Sequence, residues 1–180
     1  MKRSGLYSKK VFEHFQNPHN TGQMKNPDGV GKVGSLICGD VMWLYIKVAK
    51  NSKGEDIIKD VKFETYGCLA AIASSSVLTD LIKGKTIKEA LSFDRRKIVD
   101  SLGGLPPIKM HCSVLAADAL VEAVYDYLRK NNKPVSEELR QKHKELEKEK
   151  KEIEKRHKEW TELEESLHRQ KAKKKKFNKK

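Results

Sequence analysis

Two alternating segments separated by a short polar loop constrain the fold of this chain more than any other feature. Inward-facing apolar positions alternate with the intervening positions in residues 42–48 and again in residues 61–65, which is typical of strands with one buried face. The sequence between them, Asn51-Ser52-Lys53-Gly54, is polar, short and contains glycine, so we predict an antiparallel hairpin. A preceding strand is expected at about residues 31–37.

Beyond Cys68 the apolar residues change to helical spacing. They recur every three or four positions from Ala70 to Ile82 and stop at Gly84, which indicates a helix. Further helices are predicted at residues 87–91, 95–102 and 113–129, and residues 8–16 form a short amphipathic segment. Strands that come first and helices that come later are typical of an α+β domain. We therefore predict a small antiparallel β-sheet of about three strands packed against several α-helices.

The last fifty residues differ in composition from the rest. Residues 131–180 contain 18 Lys and Arg against 11 Asp and Glu, no glycine and few apolar residues. Five apolar residues recur at intervals of seven, as they would along one side of a helix: Leu139, Leu146, Ile153, Trp160 and Leu167. The other half of a coiled-coil seam is polar, so the favoured interpretation is a charged, solvated helix. The alternatives are a docking helix for a partner and a paired tail.

We therefore divide the chain into a domain at residues 1–130 and a highly charged helical or disordered extension at residues 131–180. The lysine run at residues 173–176 has no interleaved aromatic residue, so a nucleic-acid partner is not expected. No window approaches the roughly 18 apolar residues that a membrane span needs, and no apolar segment follows the basic N-terminus. A cytoplasmic location without membrane contact is the expectation. Whether the chain forms a homo-oligomer is left open.

All three cysteines lie at the ends of predicted elements. Cys38 ends a strand two residues before Asp40, Cys68 stands where strand gives way to helix, and Cys112 follows His111 at the start of a long helix. Three cysteines without a secretory signal argue against a disulfide framework and favour reactive or metal-binding thiols. Three thiolates with Asp40 or His111 make a four-ligand set, and sulfur donors select zinc, copper(I) or an iron–sulfur cluster. The spacing alone does not choose the metal.

A thiol at a helix N-terminus lies in the positive end of the helix dipole, which lowers its pKa and favours the reactive thiolate. We therefore expect this effect at Cys112.

Five stretches of the chain resemble, in order, the IscU/NifU-type iron–sulfur cluster assembly scaffold, and the match runs from Tyr7 to Leu128. They are Tyr7 to Phe15, Asn17-Pro18-His19-Asn20-Thr21-Gly22, Cys38-Gly39-Asp40-Val41-Met42, Thr65-Tyr66-Gly67-Cys68 with Ala71-Ile72-Ala73-Ser74-Ser75-Ser76, and Leu105-Pro106-Pro107-Ile108-Lys109-Met110-His111-Cys112-Ser113-Val114-Leu115-Ala116. Two departures stand out. His19 replaces the usual arginine of its segment, and the cysteines of the further NifU domains are absent, with the charged tail in their place.

The resemblance implies a scaffold rather than an enzyme. A [2Fe-2S] cluster would be built on Cys38, Cys68 and Cys112 from iron and desulfurase-derived sulfur, and then passed to apo-proteins. Asp40 and His111 would complete the cluster site or a zinc site. The implied partners are a cysteine desulfurase, an iron donor and apo iron–sulfur proteins.

Two further expectations concern sulfur delivery and, from the resemblance, partner docking. Cys112 is expected to accept sulfur first, as a persulfide, because it lies at a helix start beside His111 and both features favour the reactive thiolate. The segment Leu105, Pro106, Pro107, Ile108 and Lys109 corresponds to a docking site for an Hsp70-type chaperone, although the two prolines could also serve only as a stiff spacer. The alternative function is a zinc-bound sulfur acceptor that activates a cysteine desulfurase.

Overall fold

The structure, a computed structural model, describes residues 6–177, with side chains for residues 6–156 and for Lys158. Its elements in chain order are α1 (Lys9–Gln16), β1 (Gly29–Gly34), β2 (Val41–Lys50), β3 (Asp56–Tyr66), α2 (Leu69–Ile82), α3 (Ile87–Leu91), α4 (Arg96–Ser101), a 3-10 turn (Pro107–Lys109), α5 (His111–Lys130) and α6 (Glu137–Phe177). The predicted α+β fold is confirmed, and so is its three-stranded antiparallel sheet.

The sheet has the order β1-β2-β3, and β2 and β3 form the predicted hairpin. In the hairpin loop, the Asn51 side-chain oxygen accepts hydrogen bonds from the backbone N–H groups of Lys53 and Glu55. The first strand ends at Gly34, three residues before the predicted end. The chain turns there because Ser35 exchanges backbone hydrogen bonds with Gly39 and Asp40.

One face of the sheet carries the core, against which α2 and α5 pack. Its largest fully buried side chains include Phe63, Met42, Leu44, Ile46, Ile58, Leu78 and Leu120. The backbone of α5 lies directly on two glycines of β1, and the two α5 carbonyl groups that meet them are about one helical turn apart. A Cβ added at Gly31 would lie 2.0 Å from the carbonyl oxygen of Ala119, and one added at Gly29 would lie 2.2 Å from that of Ala123. Only glycine allows this approach.

Helix α5 begins at His111, two residues before the predicted start. The 3-10 turn Pro107–Lys109 leads directly into it, with Pro107 at the first position. Cys112 therefore lies in the first turn of α5 and its side chain is buried.

Helix α6 packs on the domain through the predicted apolar stripe. Leu139, Leu146 and Ile153 are buried, and the helix lies along α5 and the β1 edge of the sheet. The expectation of a solvated helix is therefore wrong for this part of α6, because the chain's own domain covers the stripe. The side chains of Trp160 and Leu167, and those of the lysine run at residues 173–176, lie outside the described residues.

Polar contacts accompany this packing where a coiled-coil seam would be apolar. His143 Nδ1 lies 2.9 Å from Glu122 Oε1, and the His143 ring stacks on Tyr125 with 3.8 Å between ring centroids. Lys142 Nζ lies 3.2 Å from Asp118 Oδ1. The polar residues of α6 beside the apolar stripe therefore contact acidic and aromatic side chains of α5. Among the described residues, no helix is long and apolar enough to cross a membrane.

Candidate functional site

Three chain segments bring donor atoms together at one end of the sheet. Asp40 precedes β2 and Cys68 follows β3, and the antiparallel pairing of Val41 with Tyr66 places them side by side. The first turn of α5 adds Cys112 from the helix layer. One carboxylate oxygen and the two sulfurs all lie within 4.8 Å of one another, and the two sulfurs are 3.6 Å apart. The structure thus brings together three of the five predicted site residues.

Asp40 is built into this site rather than into a surface turn. Its side chain is buried, and its carboxylate accepts a hydrogen bond from the backbone N–H of Cys68 at 3.3 Å. That N–H group lies at the N-terminus of α2, where a negative charge is stabilised by the helix dipole. Gly67 leaves room for this approach, because a Cβ added there would lie 2.9 Å from Asp40 Oδ2 and would displace the carboxylate.

The other two predicted residues lie near this group but are not part of it. Cys38 is exposed in the turn between β1 and β2, and Gly39 beside it has a φ of 74°, which favours glycine. His111 adjoins Cys112, and its Nε2 atom is buried without a hydrogen-bond partner among the described residues. A buried, unpaired ring nitrogen is costly unless a ligand satisfies it.

The electrostatics of Cys112 differ from the expectation based on its helix position. Burial raises the pKa of the Cys112 thiol, and the neighbouring Cys68 sulfur raises it further. Loss of solvation therefore outweighs the helix dipole. In the chain alone Cys112 stays protonated at neutral pH, and a bound metal would supply the positive charge that stabilises its thiolate.

Lys109 is a member of the site that the sequence reasoning assigned only to partner docking. The charge on the Cys68 sulfur raises the pKa of Lys109, and Tyr7 and Cys112 add smaller contributions. The available signal was the position of Lys109 two residues before His111, on the turn that delivers the last ligand. An ammonium group beside the thiols can offset part of the negative charge that several thiolates would bring.

Exposed apolar side chains lie one to four residues before each cysteine in the sequence. Ile37 is 77% exposed, Tyr66 is 77% exposed and Ile108 is 75% exposed. In the Leu105–Lys109 segment the two prolines differ, because Pro106 is buried whereas Pro107 is exposed. Ile108 is thus held outward at the tip of a rigid turn.

The donor set matches soft-metal chemistry. Two sulfurs and a carboxylate are already close together, and Cys38 and the orphaned His111 nitrogen stand beside them. Such a set suits zinc or an iron–sulfur cluster and does not suit calcium or magnesium, which prefer oxygen ligands. The residues present therefore fit the groups that the sequence reasoning named.

Comparison with known proteins gives consistent results. Residues 6–134 match the family model described as the NifU-like N terminal domain. "Iron-sulfur cluster assembly scaffold protein IscU 1" of Archaeoglobus fulgidus is 57% identical over 128 residues, which cover 71% of this chain and 80% of that protein. "Iron-sulfur cluster assembly scaffold protein IscU" of Buchnera aphidicola subsp. Schizaphis graminum is 53% identical over 130 residues, which cover 71% of this chain and 98% of the other.

A solved structure shares the fold. The N-terminal part of a nitrogen-fixing NifU-like protein from Brucella abortus superposes with a TM-score of 0.54 at 23% identity, covering 69% of this chain and 96% of that chain. At this identity the likeness concerns the fold alone. The extension beyond residue 134 lies outside the family match.

Proposed function

Because the chain belongs to the NifU-like N-terminal domain family, we propose that it is a scaffold that assembles an iron–sulfur cluster and passes it to apo-proteins. The observation that carries this proposal is the convergence of Asp40, Cys68 and Cys112 within 4.8 Å. The scaffold names of the Archaeoglobus and Buchnera relatives support it. No catalytic role is proposed for any residue.

The proposed cargo is a [2Fe-2S] cluster held by Cys38, Cys68 and Cys112, with Asp40 or His111 as the fourth ligand. Cys68 and Cys112 are in place, and Cys38 lies exposed on the neighbouring turn beside Gly39, from which it would have to move to join them. The buried, unpaired nitrogen of His111 favours it as a ligand, whereas the closeness of Asp40 to both sulfurs favours the carboxylate. With either Asp40 or His111 as the fourth ligand, the site would bind a cluster less tightly than four thiolates would. A cluster that is passed to another protein must be released, and weaker binding allows this release.

Sulfur would reach the scaffold from a cysteine desulfurase. A scaffold thiolate attacks the terminal sulfur of the desulfurase persulfide, a new S–S bond forms, and the desulfurase thiolate leaves. We propose Cys112 as the acceptor, which requires its burial to be relieved when the partner docks. Exposed Cys38 is the competing acceptor. Mass spectrometry of the chain after reaction with desulfurase and cysteine would show which cysteine gains a sulfur atom, and a sulfur found on Cys38 alone would contradict the Cys112 assignment.

A chaperone contact is proposed for the segment from Leu105 to Lys109. The support is the outward position of Ile108 on the 3-10 turn. A peptide spanning residues 103–110 should bind an Hsp70-type chaperone from the same organism. An Ile108→Ala peptide, which keeps both prolines, should bind more weakly. Equal binding of the two peptides, or no binding of either, would leave the segment as a spacer.

We propose that residues 1–130 carry the function and that residues 131–180 are an extension. All five candidate ligands and the family match up to residue 134 support this division. A truncation ending at Lys133 should still assemble a cluster. Loss of assembly in that truncation would show that the extension belongs to the working unit.

Anaerobic reconstitution tests the assembly step. The full chain, ferrous iron, cysteine and a desulfurase should give a chromophore with two irons and two sulfides per chain. Replacement of Cys38, Cys68 or Cys112 by serine should abolish it. Ser113→Ala is the matched control, because Ser113 is buried beside Cys112 and its hydroxyl donates to the Met110 carbonyl rather than to a candidate ligand. A colourless wild-type chain would refute the proposal.

A second candidate is a zinc-bound sulfur acceptor that activates a desulfurase and never carries a cluster. The Asp40, Cys68 and Cys112 group favours it, because this donor set suits zinc without any redox requirement. Zinc in the purified chain fits both functions, since zinc also occupies thiolate sites. Failure to exchange that zinc for iron and sulfide would select the second candidate.

A further inference from the structure

A second cluster of metal-binding side chains lies away from the cysteines. His14 stands in the last turn of α1, His19 in the loop that follows, and Asp80 near the end of α2. One ligand atom from each residue lies within 4.8 Å of the other two. Asp80 follows Cys68 by twelve residues, which is about 18 Å along a helix that rises 1.5 Å per residue. The two groups are therefore separate.

Neighbouring polar groups hold the three side chains in place. His14 Nδ1 lies 2.8 Å from Ser76 Oγ, and the same hydroxyl accepts a hydrogen bond from the His19 backbone N–H at 2.8 Å. His19 Nδ1 lies 2.6 Å from Asp80 Oδ2, and the Asn20 side-chain amide donates to Asp80 Oδ1 at 3.2 Å. Partners that orient ligating imidazoles and carboxylates in this way are typical of metal sites.

The two imidazole rings lie close together and are tilted relative to each other. Their centroids are 4.9 Å apart and their planes are inclined by 57°. An ion bound at about 2.0–2.2 Å from each ligand needs ligand atoms roughly 3–3.6 Å apart. The His19 Nδ1 and Asp80 Oδ2 atoms, 2.6 Å apart, would therefore separate slightly to admit the ion, and atoms at the 4.8 Å limit would approach by about 1 Å. The side chains of His19 and Asp80 are 54% and 40% exposed, so both have room to move by that amount.

We propose that His14, His19 and Asp80 form a second metal site that binds one divalent transition-metal ion, such as Zn²⁺ or Co²⁺, independently of the cysteines. Two imidazoles and a carboxylate suit these ions, whereas Mg²⁺ and Ca²⁺ prefer oxygen ligands alone. A bound ion would tie α1 and the loop after it to α2. Water would fill the remaining coordination positions.

The test uses the full chain without a polyhistidine tag and with its three cysteines replaced by serine. Titration with Co²⁺ should show one bound ion per chain by visible absorption, and excess Mg²⁺ should not displace it. His19→Ala in this background should weaken Co²⁺ binding by roughly tenfold or more, because one of three ligands is lost. His143→Gln is the control, since it removes an imidazole that pairs with Glu122 on another face and should leave Co²⁺ binding unchanged.

If the cysteine-free chain does not fold, the wild-type chain can be used to test whether His14 and His19 bind a metal ion. Its ring nitrogens of His14 and His19 should shift in nitrogen NMR spectra when Zn²⁺ is added beyond the amount that the cysteines bind. Unshifted rings, absence of bound Co²⁺, or binding that survives His19→Ala would each overturn the proposal. The His14, His19 and Asp80 side chains would then only link α1 to α2 through polar contacts.

Discussion

Replacing Leu146 by alanine tests whether α6 is part of the folded unit. Leu146 is 6% exposed and lies in the middle of the apolar stripe, between Leu139 and Ile153. The substitution removes three carbon groups from a buried position, and each contributes about 0.8 kcal/mol of transfer free energy. The expected loss is about 2.4 kcal/mol before any cost of the cavity. Measured Leu→Ala changes of this kind fall at about 2–5 kcal/mol.

The position of α6 at the edge of the domain limits this loss. The helix can shift into the space left by the missing carbons, or leave the domain altogether, so the loss cannot exceed the free energy with which α6 docks. We therefore expect a value near the lower end, about 2 kcal/mol.

Urea unfolding of both proteins at pH 7 measures this difference. Lys148→Ala, two residues further along the same helix and exposed, is the matched control and should change the free energy of unfolding by less than about 0.5 kcal/mol. Equal stabilities of Leu146→Ala and Lys148→Ala would refute the docked position of α6. Leu146→Ala should still assemble a cluster, because no candidate ligand lies on α6.

Three further substitutions test other parts of the account. Gly31→Ala should destabilise the fold by about 3 kcal/mol in urea unfolding, because its Cβ would meet the α5 backbone at 2.0 Å. Gly34→Ala should cost less, because the short contact of its Cβ, at 2.8 Å, is with the end of the Ile153 side chain; equal losses would contradict this reason. Burial opposes ionisation of Asp56, but contacts with Lys133 and Lys50 outweigh it and lower the pKa of Asp56 to about 2. Its charge therefore contributes stability above its ordinary pKa of 3.8, and this contribution is lost as the pH falls through about 2. Asp56→Asn should therefore be less stable than wild type at pH 7, and the difference should disappear as the pH is lowered below about 2; a difference independent of pH would refute this. Asp40→Ala should keep cluster assembly but slow transfer to an apo-protein several-fold, since the oxygen donor beside the sulfurs is lost; equal transfer kinetics at equal cluster occupancy would leave Asp40 with a structural role only.

The sequence predicted the elements of the domain because their periodicities are local. The hairpin of β2 and β3 and the helix from Leu69 to Ile82 follow from alternating and helical spacing within short windows. The end of β1 was placed three residues too late because the backbone bonds of Ser35 that close the turn have no signature in residue type. The packing of α6 was missed because its polar positions looked solvated, and only the fold places Glu122 opposite His143.

In the candidate site, too, features set by neighbouring residues were predictable from the sequence, whereas features set by contacts between distant segments were not. The residue types around Cys38, Cys68 and Cys112 predicted a thiol-rich site, and the structure brings two of these thiols together with Asp40. Burial of Cys112 depends on Ala70 and Ala71 from another helix, so the sequence could not show that desolvation would raise the pKa of its thiol. The His14 group was missed for a similar reason, because Asp80 lies more than sixty residues along the chain from both His14 and His19.

Transfer under turnover conditions tests the central claim most directly. A small amount of the chain is incubated anaerobically with a desulfurase, cysteine, ferrous iron and an excess of an apo-[2Fe-2S] ferredoxin, and ferredoxin loading is followed by circular dichroism. The account predicts that each molecule of the chain loads more than one ferredoxin, and that Cys68→Ser loads none above the rate without the chain. Loading at the same rate with and without the wild-type chain would contradict it.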